Sequence, residues 1–79
     1  MTSNGQLLAL DPPARAKQIA GLPNDVRVRL ARIAALGVRT EIGRGNRWLA
    51  ENVPTFAESR FDHAADLGDL AAQLLEDLP

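Results

Sequence analysis

The chain has 79 residues, a formal net charge of −1 and no cysteine. It is therefore long enough for one small domain, and disulfides, thiolate metal sites and cysteine nucleophiles are excluded. A chain of this size buries only roughly 60–65 % of the surface that its unfolded form exposes, so a partner that completes the core is expected. Hydrophobic residues make up 46 % and charged residues 24 %, a balance that argues for a globular protein and against disorder.

In chain order, residues 1–10 read as a flexible N-terminal arm and residues 11–79 as a single small helical domain. The start, "MTSNGQLLALDPP", has no basic region and only four consecutive apolar residues, Leu7 to Leu10. It is not expected to be a signal peptide. No apolar run reaches the roughly 18 residues of a membrane span, so a cytoplasmic protein with no membrane partner is expected.

Asp11 as a cap and Pro12 at the first helical position predict a helix over residues 12–20, with Gly21 as its left-handed stop and Pro23 preventing continuation. Asn24 then reads as the cap of a second helix, with Asp25 complementing its dipole and Gly37 ending it. Val26, Leu30 and Ile33, flanked by Leu36, are its expected buried stripe. Val28, Ala31 and Ala35 form a second, smaller apolar face, so this helix is either sandwiched or offers one face to a partner.

The segment "VRTEIGRGNRWLAENVP" is ambiguous. Gly43 and Gly45 argue against a helix running through it. A loop followed by a short helix capped by Asn46 is the first expectation. A β-hairpin at about 38–50 is the alternative, because Val38, Thr40 and Ile42 alternate and "GRGN" suits a turn. After Pro54, Thr55 and Glu58 match a capping box. Ala57, Phe61, Ala64, Gly68, Ala71, Leu75 and Leu78 then recur at helical spacing, with Leu67, Leu70 and Leu74 widening the stripe. Asp62 could mark a break. The fold class is mainly all-α, a small bundle of three to four helices, or α+β if the hairpin forms.

Near-neutrality hides an asymmetry. Six arginines in residues 24–50 (27, 29, 32, 39, 44 and 47) face only Asp25 and Glu41, a net of +4. Residues 51–79 set Arg60 against Glu51, Glu58, Asp62, Asp66, Asp69, Glu76 and Asp77, a net of −6. Asp62, Asp66, Asp69 and Glu76 fall on one ridge beside the leucine stripe. These charges either pair within the fold and with solvent, or meet a partner.

Arg39, Arg44, Arg47 and Trp48 combine phosphate-binding charge with a stacking ring, which makes nucleic acid an alternative partner. The acidic balance of the whole chain, with a pI near 5.7, counts against it. "GRG" lacks the further glycine of a dinucleotide fingerprint and the Lys-Ser/Thr of a phosphate-binding loop. Trp48 is either core or an exposed anchor. Ser59, His63 and Asp66 share a helix face, but without a pocket or oxyanion donors they read as a solvated face, not a catalytic set.

The function expected from these features is non-enzymatic: a protein-binding or regulatory protein, with no cofactor or metal. Its partner would be another protein or a second copy, met through Asp62, Asp66, Asp69 and Glu76. In size and composition the chain is similar to small accessory proteins of phages and mobile elements, some of which inhibit host factors. An inhibitor of a host factor is one form the expected role could take. The alternative is a small nucleic-acid-binding protein using the basic middle segment.

Overall fold

The computed structural model describes residues 2–78. Among them the chain is 83 % helical, with four helices and no strand. These are α1 (Asn4–Ala9), α2 (Pro12–Ala20), α3 (Asn24–Ala50) and α4 (Pro54–Leu75). The all-α expectation holds, and the alternative hairpin at 38–50 does not form.

The ambiguous segment is the last half of α3, which runs unbroken through Gly37, Gly43 and Gly45. Each glycine costs about 1 kcal/mol relative to alanine in a helix. Two of the three are offset by close packing. A Cβ at Gly37 would stand 2.9 Å from Leu67 Cδ1, and one at Gly45 would stand 2.8 Å from Phe61 Cδ1, inside the Phe61 ring contact. Gly37 and Gly45 are eight residues apart, and so lie near one face of the helix. Gly43 has nothing within 4 Å of its Cβ position. The glycines read as a corner are therefore mainly a flattened strip on which α4 lies.

The real corner comes next. Asn52 takes the left-handed conformation, with φ of 65°. Its N–H bonds Leu49 O at 3.0 Å, and the Val53 N–H bonds Trp48 O at 2.9 Å. This pair of bonds is the Schellman closure of a helix C-terminus. Pro54 opens α4 directly after it. Asparagine before a near proline is a stop signal visible in "ENVP", outweighed in the sequence reading by the more conspicuous glycines upstream.

Other local expectations also shift. Asn46 lies inside α3 rather than capping a new helix. Pro23 and Val53 occupy the N-cap positions of α3 and α4, so neither Asn24 nor the Thr55–Glu58 pair caps a helix. No break occurs at Asp62. Gly21 ends α2 at the expected place but stays right-handed, with φ of −84°. The segment expected to be a loose arm contains α1, capped by reciprocal bonds between Ser3 and Gln6.

α3 and α4 form an antiparallel hairpin. The contacts run in opposite order along the two helices: Gly45 at Phe61, Val38 at Gly68, Gly37 at Leu67, and Arg27 at Leu74. α1 and α2 cover one side of its open end. The core there joins Leu7 and Ile19 to Leu30, Ala31, Leu70 and Leu74. Burying each leucine fully contributes about 2 kcal/mol. The stripe expected on α3 is rotated from its observed buried face. Leu30 is buried, together with Ala31 and Ala34, whereas Ile33 is 53 % and Leu36 63 % exposed. The helices pack along small residues, which glycine and alanine permit and larger side chains would not.

Two arginines are used as helix caps. Arg15 donates from Nε to Leu7 O at 2.9 Å, and from Nη2 to the Leu8 and Leu10 carbonyls, closing the end of α1. Arg27 donates from Nε to Leu74 O at 2.9 Å and from Nη2 to Glu76 O at 2.7 Å, closing the end of α4. These bonds satisfy carbonyls that a helix leaves unpaired. They also place positive charge where the dipole of α4 favours it, despite Glu76 and Asp77 nearby.

Candidate interaction surface

The basic middle segment does not present one face. Successive residues of a helix turn by about 100°, which puts Arg39 and Trp48 on opposite sides of α3. Arg44 is engaged within the chain. Its Nη1 donates to Glu41 Oε1 at 3.0 Å. Arg60 of α4 donates from Nη1 to Glu41 Oε2 at 3.3 Å, and His63 Nδ1 lies 3.5 Å from the same oxygen. Trp48 is half-buried against Phe56, with ring centroids 5.0 Å apart and planes at 77°, an edge-to-face contact. The set Arg39, Arg44, Arg47 and Trp48 is therefore divided: Arg44 serves the fold, Trp48 braces the corner, and Arg39 and Arg47 point to solvent.

Glu41 is the one buried charged residue among those described, its side chain 6 % exposed. Burial pushes its carboxyl pKa up. Hydrogen bonds from Arg60 and His63, and the charges of Arg60 and Arg44, outweigh that and leave it below the usual glutamate value. A buried carboxylate persists only where cations and donors replace its water. Here they come from both helices of the hairpin. The cations sit at the rim, at least two-fifths exposed, so the cluster is a clasp sealed at the carboxylate and open at the arginines. In the sequence Glu41 is legible only as a charge. Its i, i+3 relation to Arg44 is a local signal, but the link to Arg60, nineteen residues on, has none.

Ser59, His63 and Asp66 are exposed along α4, and His63 turns toward Glu41 instead of toward Ser59. No group of three or more His, Cys, Asp or Glu placed to hold a metal ion occurs among the described residues. Among the described residues, no helix is long and apolar enough to cross a membrane.

The acidic ridge is intact. Asp62, Asp66, Asp69 and Glu76 are all exposed, and none forms an ion pair among the described residues. Glu41 is the shared acceptor of the ion pairs described there. Among the described residues, no arginine of the basic half pairs with a carboxylate of this ridge.

Beside the ridge lies a feature only partly legible in the sequence. Val28, Ala35, Ile42 and Leu49 follow one another at seven-residue intervals along α3, and all four are exposed. Ile42 is 43 % and Leu49 49 % exposed. Val38 faces Gly68 on the same side of the seam. That contact places the α3 row next to Ala65, Ala72 and Leu75 of α4, which are also exposed. The two rows form one apolar flank along the hairpin, on the side away from the core with α1 and α2. Its first members, Val28 and Ala35, were legible as a second face. Its continuation through Ile42 and Leu49 is masked in the sequence by Gly37, which reads as a helix stop.

Comparison with protein-family models, with curated proteins and with solved structures finds no match for this chain.

Proposed function

We propose that the chain is a non-enzymatic protein-binding protein whose working surface is the open flank of the α3–α4 hairpin and the acidic ridge along its edge. The observation that carries this reading is the juxtaposition of an exposed apolar row, Val28 to Leu49, with carboxylates that form no ion pair among the described residues. Apolar contact area supplies affinity, and a charged rim sets orientation and speeds encounter. Occupying a partner's surface is the activity this arrangement offers, and regulation or inhibition of a host factor is the role it suits.

Retention of proteins from an extract of the native host tests this directly. Immobilised wild-type chain should hold a defined set of proteins that a double variant, Asp62→Lys with Asp66→Lys, loses. Both positions are exposed, so the variant should fold. Identical sets for the two chains would refute the reading. A mobility shift with DNA or RNA that weakens steeply as salt rises would instead favour the arginine-rich segment.

A further inference from the structure

The flank is self-complementary in charge. On the α3 side its outer edge carries Arg32 and Arg39, seven residues apart and exposed. On the α4 side its outer edge carries Asp62, Asp69 and Glu76, also at seven-residue intervals and exposed. Neither arginine forms an ion pair among the described residues. The flank thus runs from a basic edge, across an apolar centre, to an acidic edge.

The exposed area points the same way. A compact monomer of 8.5 kDa exposes about 4,650 Å². This chain exposes 5449 Å², about 800 Å² more, as its extents of 43 × 21 × 21 Å require, and that surplus is comparable to the share that one subunit contributes to an interface of ordinary size.

We infer that the chain pairs with a second copy of itself through this flank, about a two-fold axis parallel to the hairpin. The inference rests on the protein-binding reading above and specifies its first partner. A two-fold axis in that direction lays α3 of one copy on α4 of the other, antiparallel, and closes a four-helix bundle of two layers. It also brings each basic edge against an acidic edge. A two-fold axis across the hairpin would set α3 on α3 and Arg39 against its own copy, which like-charge repulsion disfavours.

The register follows from contacts within one chain. Gly45 lies level with Phe61 and Gly37 with Leu67. A residue of α3 therefore lies level with the residue of α4 whose number completes a sum near 105. Applied across the two-fold, Arg39 meets the opposite ridge between Asp62 and Asp69, and Arg32 meets it between Asp69 and Glu76. Ile42 seats near Ala65, where the small side chain leaves room for it.

Sedimentation equilibrium on wild type and four variants tests the pairing. Wild type should sediment at twice 8.5 kDa. Ile42→Asp should sediment as a monomer while keeping its helical circular dichroism. Arg39→Asp and Asp69→Arg should each weaken the dimer roughly tenfold, because each places like charges in contact twice per dimer. The double variant Arg39→Asp with Asp69→Arg should recover most of that loss. Wild type that stays monomeric at high concentration, a dimer that survives Ile42→Asp, or a double variant weaker than both single ones would overturn the inference. A monomeric wild type that still loses its retained host proteins when Asp62 and Asp66 are reversed would separate failure of self-pairing from failure of the protein-binding reading.

Discussion

Glu41 shows how much one side chain decides here. A carboxylate on the buried face of α3 is tolerated because Arg44 approaches along the same helix and Arg60 and His63 approach from α4. Replacing such a cluster with apolar groups is often neutral for stability, so its value is better sought in register: Glu41 can meet Arg60 only when the hairpin is aligned as observed. Its pKa is lowered in the folded state. The contribution to stability is therefore complete above the unfolded value, about 4.3 for glutamate, and is lost as pH falls through the lower folded value. Denaturant titrations across this range should show wild type losing stability toward acid more steeply than Glu41→Gln. Parallel curves for the two proteins would mean that the carboxylate is not held as described.

The helices themselves were mostly legible, and the exceptions share a cause. Local signals fixed α2 at its observed bounds and gave α4 its periodicity. They failed where tertiary contact overrides propensity. Three glycines in nine residues predict a break, yet α3 continues, because Gly37 and Gly45 let α4 approach closely. The stripe on α3 differs from its expected position for the same reason: size alone puts Ile33 and Leu36 inside, whereas the packed strip includes Ala31, Ala34 and Gly45. α1 was missed because six residues carry little periodicity, and only tertiary contact shows that Leu7 is buried. The glycine explanation predicts opposite outcomes for neighbouring substitutions. Gly45→Ala should destabilise by about 1–3 kcal/mol, since the new methyl meets the Phe61 ring. Gly43→Ala should stabilise by about 0.5–1 kcal/mol, since nothing opposes its Cβ and alanine is the better helix former. Thermal or urea unfolding of the two variants separates these cases, and changes of the same sign would refute the close-packing explanation.

At the scale of the molecule, the chain is a rod. Its extents are 43 × 21 × 21 Å and its radius of gyration is 13.9 Å, against about 12 Å for a compact domain of this length. A 27-residue helix is about 40 Å long, and α3 sets that dimension. α1 and α2 cover only one side of the open end, so the hairpin keeps an uncovered flank. The charge asymmetry was visible in the sequence. What was not visible is that Arg32 and Arg39 of the one half and Asp62, Asp69 and Glu76 of the other line opposite edges of one apolar surface, because that requires α3 to continue past Gly37 and α4 to return beside it. An intermolecular nuclear Overhauser experiment on a mixture of isotope-labelled and unlabelled chains probes this surface most directly. Contacts between the Ile42 methyls of one copy and the Ala65 methyl of the other are expected. Contacts from Ile33 and Leu36 instead, or no intermolecular contacts at concentrations where the protein sediments as a dimer, would contradict the assignment of this flank as the binding face.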